Sequence, residues 1–591
     1  MPRRGRPRTG WPGTGRRWLA AVAVLFGSLG EAAAQAPRVL PAGVDPGRLP
    51  QQAPAPPPAP AAPVPEPTLA APPAAGPPAG AERLRFTLAE LVIEGVTAYA
   101  PEELRPLYAG LLGREISVAD LFSVAEAITA RYRADGYMIS RALVPAQRIE
   151  NGIARLQVIE GYVSEVTLEG AAEPMLRDRA ERAVSVSRPL TLRRLERAIL
   201  LLNDLPGVTA QGLIEPAPEG PTGAARLAVT AESRRVWRGY VALDNRGSRY
   251  VGPWQATVGG EVSSVLRTYD RLAFRAVGAS PLRELRYAEA AYETPVGDDG
   301  WTAFGSVFVS RSEPGFTLAA LDTKGSAQGG TLGAAYPLIR TRAENLRLSI
   351  AFTPYDSDND VLGRQDVSPA YEDDMRPVRL AATYDLADGW GGLNFLFVEL
   401  SQGLDGLGAS SESRPNPSRP GARTDFTRLL FEASRLQALD WVMPGLGLYL
   451  AARGQWSFGS ALVAYEQFGL GGARFGRGYD PSEIAGDNGI AGTAELQWSA
   501  VFPASRYSFG EQATLQPYLF YDAGTVTNAR SGEFPSQSLA STGAGIRLWL
   551  GDAFAAAIEV AKPLTRAVSA EVLSGSSGND PRLYVSTVLR F

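Results

Sequence analysis

The chain contains no cysteine and no histidine among its 591 residues. Without thiols there is no disulfide framework and no thiol nucleophile. Without imidazole there is no Ser-His-Asp triad and no His-bearing zinc site. Charge of one sign is not in excess either: 58 Lys and Arg face 62 Asp and Glu, a net charge of -4, which gives no argument for nucleic acid. Beyond the N-terminal segment, no apolar run approaches the roughly 20 residues of a membrane-spanning helix. No pair of acids has the spacing of acid-base chemistry. The expectation is a chain that is not an enzyme and needs no cofactor and no metal.

What is present begins with a secretory signal over 1–34. Arg3, Arg4, Arg6, Arg8, Arg16 and Arg17 form a basic start, Trp18 to Leu29 is a short apolar core, and Ala32-Ala33-Ala34 offers a small-residue cleavage site before Gln35. Residues 35–83 are a Pro/Ala tract that includes Ala53-Pro54-Ala55-Pro56-Pro57-Pro58. That composition favours extended polyproline and predicts a semi-rigid spacer.

Composition changes at Leu84. Phe86 to Ile93 reads as a strand and Pro101 to Tyr108 as a short helix. Ser117 can cap a second helix on which Leu121, Val124, Ala125, Ile128 and Tyr132 share one face, with Gly136 as its stop. Tyr137 to Val144 and Ile153 to Ile159 read as strands around the turn at Asn151-Gly152. Residues 84–161 therefore form one compact α+β module. Residues 162–235 form a second, with a strand from Val163 to Leu168, a helix marked by Leu192, Leu195, Ile199 and Leu202 that stops at Pro206-Gly207, and closing strands at Leu213 and Leu227 to Thr230.

From 236 to 591 strand-length segments of alternating character recur, roughly 16 of them, an even number. Leu272-Phe274-Ala276, Trp301-Ala303-Gly305-Val307, Leu346-Leu348-Ile350 and Leu393-Phe395-Phe397 are examples. Tight turns such as Gly297-Asp298-Asp299-Gly300 contrast with long polar connections at Asp356 to Met375 and Leu404 to Thr424. Short turns at one end and long loops at the other predict an outer-membrane barrel, with Trp254, Trp301, Tyr336, Trp498, Tyr518 and Trp549 as aromatic girdles. Leu583, Val585, Thr587, Leu589 and the terminal Phe591 share a face of the last strand, where Phe591 can signal barrel assembly.

The chemistry-bearing stretch is Gly476-Arg477-Gly478-Tyr479-Asp480, inside a Gly-rich loop over 470–489. Two flanking glycines leave Arg477 free to reach a tight site. Phe520-Tyr521-Asp522-Ala523-Gly524 lies in a strand whose other face is apolar, so in a closed barrel Asp522 points into the lumen, where the Arg fork suits its carboxylate. A surface turn beside an unrelated strand Asp reads about as well from these residues alone. Asp356-Ser357-Asp358-Asn359-Asp360 mimics the start of a calcium loop, but Val361 and Val367 stand where the Gly and the bidentate Glu belong.

These residues resemble the outer-membrane transporters of two-partner secretion, the haemolysin secretion/activation type or TpsB family, within the POTRA-barrel superfamily. The phrases that carry the resemblance in the first module are Ala127-Ile128-Thr129 with Tyr132, Gly136-Tyr137, Ser140-Arg141-Ala142, Pro145-Ala146-Gln147 and Val158-Ile159-Glu160-Gly161. Leu195-Glu196-Arg197, Leu201 to Gly207 and Asp244-Asn245-Arg246-Gly247 follow, then Arg477-Gly478-Tyr479 and Phe520-x-Asp522-x-Gly524. The resemblance implies two periplasmic POTRA domains before a 16-stranded transmembrane β-barrel in the cell outer membrane. It implies that the loop over 470–489 lies between the eleventh and twelfth strands and folds into the pore, with Arg477 on Asp522. It also implies export of an unfolded, TpsA-type exoprotein with an N-terminal secretion domain, and contact with lipid and with the barrel assembly machinery. An outer-membrane protein assembly factor built from the same parts is the alternative. Two departures stand out. Gly476 replaces an apolar residue of the family's loop motif, and the Pro-rich tract argues against a long plug helix, leaving Gly43 to Gln52 for a short one.

Overall fold

The computed structural model describes residues 42–44, 48, 68–69, 76–170, 174–217, 219–233, 237–360, 371–414, 416–503, 512–530 and 532–591. The secretory signal and most of the Pro/Ala tract lie outside the described residues.

In the first module the helix Val118–Ala134 starts where its cap predicts. The Ser117 N–H donates to Asp120 Oδ2 at 2.7 Å and the Asp120 N–H returns to Ser117 Oγ at 3.3 Å, so each residue satisfies an orphan donor of the first turn. The helix buries Leu121, Val124, Ala125, Ile128 and Tyr132, the face expected from their spacing. It ends before Gly136, whose φ of 88° any other residue would resist. Beneath it, Ile153–Ile159 pairs in parallel with Glu90–Glu94 and antiparallel with Arg141–Leu143. Two expectations need correction here. The strand expected over Phe86 to Ile93 is two strands, Arg85–Thr87 and Glu90–Glu94, because Leu88 turns inward and is fully buried. The strand expected over Tyr137 to Val144 shrinks to Arg141–Leu143, since Tyr137 leaves the ladder to pack edge-on against Tyr99 and Tyr132.

The second module repeats the arrangement. Ala224–Ser233 pairs in parallel with Tyr162–Gly170 and antiparallel with Val208–Pro216, under the helices Pro174–Ser185 and Leu192–Asn203. Pro174–Ser185 has no counterpart in the sequence reading. Its inward line of Leu176, Ala180 and Val184 is interrupted by charged residues and includes the buried Arg179. Thr68–Leu69 adds in parallel to Leu213–Ile214, at the edge of this sheet.

The remainder is a closed antiparallel barrel of 16 strands. Its first strand, Trp237–Asp244, meets its last, Arg582–Arg590, with Tyr240 to Asp244 in register against Arg590 to Ser586. Closure leaves no sheet edge, the condition for strands to cross lipid. Val258, Phe274, Val307, Leu332, Ile350, Leu380, Leu519 and Ile558 face outward as the apolar belt. Where Asp356 to Met375 reads as a loop, Tyr355–Asp360 and Tyr371–Met375 instead prolong the seventh and eighth strands as a hairpin beyond the belt. Asp, Ser and Asn fill Asp356 to Asp360 and acids fill Glu372 to Asp374, so the pairing has no apolar face to reveal it. Tyr518 belongs to no girdle: it is buried in the lumen, donating to Glu559 at 2.7 Å.

The second module grips the barrel rim. Arg340 holds Asp204 with two nitrogens at 2.9 and 2.6 Å, and Arg197 donates to the Pro337 carbonyl at 2.7 Å. Tyr269, from a rim turn, is inserted into the apolar core of the module.

Candidate functional site: the pore loop and its lumenal anchor

Strand alternation places the site. Leu519 is 60% exposed and Tyr521 also faces out, so Phe520 and Asp522, one step away, face in; Asp522 is 0% exposed. In register beside them on the twelfth strand lie Thr493, opposite Asp522, and Glu495, opposite Phe520. The loop between the eleventh strand, Leu446–Trp456, and the twelfth, beginning with Asn488–Trp498, turns back into this lumen and carries the short pair Phe468–Leu470 and Ile484–Gly486.

Arg477 at the loop tip is buried. Its Nε and Nη2 donate to the two oxygens of Asp522 at 3.1 and 2.9 Å, and its backbone N–H donates to the same carboxylate at 2.9 Å. Nη1 reaches Glu495 at 2.7 Å, a second Nη2 contact reaches Thr493 at 2.9 Å, and the guanidinium lies 3.5 Å from the Phe520 ring centroid. Glycine is required on both sides. Gly476 has φ 81°, and its N–H donates to Asp522 at 3.2 Å. The departure from an apolar residue at 476 thus supplies a left-handed turn that aims two successive N–H groups at one carboxylate. A Cβ on Gly478 would fall 2.8 Å from Pro563 N, and one on Gly524 would fall 2.6 Å from Leu470 Cδ2. Tyr479 is buried and donates to the Ala540 carbonyl at 3.0 Å. Asp480 meets Arg582 at 2.6 Å.

Gly476, Arg477, Gly478, Tyr479, Phe520, Asp522 and Gly524 are therefore brought together. Phe591 is not: it sits at the barrel seam, its N–H and C=O both paired with Gly239 at 2.9 Å and its ring against Trp237. Sequence reasoning missed Thr493, Glu495, Ser541, Arg547 and Glu559, which complete the lumenal cluster. Arg547 binds Glu495 at 2.6 Å and Arg246 binds Glu559 at 3.2 Å. Their signal was a polar or charged residue at an inward position of an amphipathic strand, legible only once the register is known.

The N-terminal segment also reaches the loop. Ala42–Val44 forms a short 3-10 turn with Gly43 and Val44 buried, Gly43 lying so close to the Pro481 carbonyl that a Cβ would sit 2.5 Å from it. Arg48 donates to the carbonyls of Ala464 and Gln467 at 2.6 and 2.9 Å. Among the described residues no long helix occupies this segment.

A lipid-facing closed barrel with α+β modules at one rim and an ion-paired loop folded into its pore defines an outer-membrane transporter of the POTRA-barrel kind. Comparison with known proteins specifies the branch. The model of the haemolysin secretion/activation protein family ShlB/FhaC/HecB matches residues 223–548, and a ShlB-type POTRA domain matches residues 86–161. The chain belongs to the haemolysin secretion/activation family, the outer-membrane translocators of two-partner secretion. It is 26% identical over 486 residues to the heme/hemopexin transporter protein HuxB of Haemophilus influenzae, across 78% of this chain and 80% of that protein. It is 24% identical over 432 residues to the outer membrane transporter CdiB of Dickeya dadantii, across 70% of this chain and 73% of that one. The solved structure of CdiB from Escherichia coli superimposes with a TM-score of 0.71 at 21% identity, over 87% of this chain and 92% of that chain.

Proposed function

We propose that the POTRA modules capture an unfolded exoprotein in the periplasm and pass it to the barrel, whose pore opens when the loop anchored by Arg477 on Asp522 moves aside. The observation that carries this reading is the anchor itself: a loop of this length held by buried charges inside a pore obstructs it until it is displaced. Capture by strand addition suits an unfolded chain, which offers mainly backbone groups. The first sheet ends on Glu90–Glu94 and Arg141–Leu143, and the second on Tyr162–Gly170 and the short Thr68–Leu69 strand. Net direction comes from the cargo folding outside, where it buries apolar surface that it exposes while extended.

The protein on this reading is not an enzyme. Its partners are a TpsA-type exoprotein, the outer-membrane lipid around its belt, and the barrel assembly machinery that reads Phe591. The family match favours export over outer-membrane protein assembly. Co-expression with the secreted product of a neighbouring reading frame tests the proposal. Deleting residues 84–232 should leave a heat-modifiable barrel that exports nothing, and persisting export would overturn the role given to the modules.

A further inference from the structure

The pore loop is anchored a second time, with the charges reversed. Its 3-10 turn Ala464–Glu466 places Glu466, whose side chain is 0% exposed, between two arginines of the wall. Arg379 Nη2 lies 2.5 Å from one carboxylate oxygen and Arg428 Nη1 lies 2.5 Å from the other. The wall builds this receptacle in a single row. Arg379 on the eighth strand is in register with Ser401 on the ninth, and Ser401 with Arg428 on the tenth. Both guanidiniums also touch Glu399, at 3.1 and 2.8 Å, and donate to the Ser401 hydroxyl at 2.8 and 3.3 Å.

The charges in contact decide what Glu466 does. The wall alone sets two guanidiniums against one carboxylate in a buried place, and Glu466 neutralises the remainder. At the tip the wall sets three carboxylates, Asp522, Glu495 and Glu559, against Arg547 and Arg246, and Arg477 supplies the missing cation. Each sector of the wall is incomplete without the loop. Removing one partner of a buried pair is strongly unfavourable because the other is left uncompensated.

We propose that Glu466 is a positioning residue, the base anchor of the pore loop, which fixes the loop to the eighth to tenth strands independently of the Arg477 tip anchor on the twelfth, thirteenth and fifteenth. This rests on the reading that the loop obstructs the pore, and adds that opening requires two charge-complemented contacts of opposite polarity to be released. The Gln455 amide, which donates to the Glu466 carbonyl at 2.8 Å and to the Asp487 carbonyl at 3.0 Å, ties the two ends of the loop at the same level of the wall.

The absence of native cysteine makes single engineered thiols unambiguous. Leu462→Cys reports the base and Ile484→Cys the tip region, both being buried in the resting protein. Labelling by a membrane-impermeant maleimide is followed in outer membranes holding the full chain, normalised to heat-modifiable barrel. Glu466→Gln should raise labelling at position 462 about tenfold and leave position 484 within about twofold, whereas Arg477→Ala should do the converse. Adding Arg428→Gln to Glu466→Gln restores one guanidinium to one carboxylate and should recover most of the protection at 462. Unchanged labelling at 462 in Glu466→Gln overturns the proposal, as does a double variant no better protected than Glu466→Gln. Where Glu466→Gln does not insert, Glu466→Asp, one methylene short of both arginines, takes its place without the Arg428 change: labelling at 462 should rise, and unchanged labelling overturns the proposal. Failure of Arg477→Ala to expose position 484 would instead sink the tip anchor and leave the base anchor standing.

Discussion

Arg477 meets Asp522 three times over: through Nε at 3.1 Å, through Nη2 at 2.9 Å and through its own backbone N–H at 2.9 Å. The fork geometry is what Lys lacks. A water-filled lumen would weaken such a contact, but both residues are buried and the Phe520 ring covers the guanidinium. Removal of one partner should therefore cost the upper range of about 3–5 kcal/mol. Arg477→Ala and Asp522→Ala are each expected to cut export strongly with insertion intact, and Arg477→Lys to recover part of it. In a double-mutant cycle of export per barrel, the paired loss should fall short of the sum of the two singles. Arg477→Ala should be the worse single change, because it also takes from Glu495 one of its two arginines and leaves it Arg547 alone. Strictly additive losses would show the two residues acting independently.

Phe591 closes the barrel as well as ending the chain. Its backbone continues the seam through Gly239, and its ring occupies the space that a Cβ at 239 would enter, 2.5 Å from Cε2. Phe591→Ala keeps the backbone pairing and removes the ring, so it is expected to reduce the amount of inserted barrel without reducing export per inserted molecule. Quantifying both by heat-modifiability and secreted cargo separates the two effects. Equal abundance of parent and variant would remove the assembly role.

The barrel was legible because its strands are amphipathic at period two, and the sixteenfold alternation survives every turn. The hairpin beyond the belt was not, since a strand in water needs no apolar face and Asp356 to Asp360 shows none. The pair Arg477 and Asp522 could be read because glycines mark the tip and an inward Asp stands out among apolar neighbours. Glu466 could not: nothing near it in sequence announces Arg379 and Arg428, which two different strands of a closed wall bring to it. The first-module phrases were recognised without their reason. Gln147 turns out to act as a strand mimic, its amide donating to the Arg155 carbonyl at 2.8 Å and its oxygen accepting the Arg155 N–H at 2.7 Å. Thr129 accepts the Ala142 N–H at 2.9 Å, tying helix to sheet.

Arg48 links the N-terminal segment to the turn that carries Glu466, by donating to carbonyls on both sides of it. Arg48→Ala takes a buried cationic donor from those two carbonyls, and hydrogen bonds to charged groups contribute about 1.5–3 kcal/mol. The N-terminal segment is expected to leave the loop more often, raising single-channel conductance in planar bilayers while the Leu462→Cys labelling stays low. Conductance equal to that of the parent would show that the segment is held by its other contacts alone.

Glu160, in the last strand-end phrase of the first module, gathers four donors. The N–H groups of Thr97 and Ala98 reach Oε1 at 2.8 and 2.9 Å, the Tyr132 hydroxyl reaches it at 2.7 Å, and the Thr97 hydroxyl reaches Oε2. Burial by itself would raise this carboxyl; the donors on Thr97, Tyr132 and Ala98 outweigh it and hold the group below the ordinary range. Burial and then the carboxylate push the Tyr132 hydroxyl up, so it remains a donor throughout the physiological range. A folded pKa below the unfolded value of about 4.3 means that the stabilisation is fully present above that pH and is lost as pH falls through the folded value. Glu160→Gln keeps the shape and removes the charge, so the Thr97 and Ala98 amides should lose hydrogen-exchange protection at pH 7 in the full-length protein. With exchange corrected for its intrinsic pH dependence, the difference between parent and variant should shrink once pH drops below about 4. A difference that persists unchanged into acid would mean that the packing of Tyr132 against Tyr99, and not the carboxylate, fastens this corner of the module.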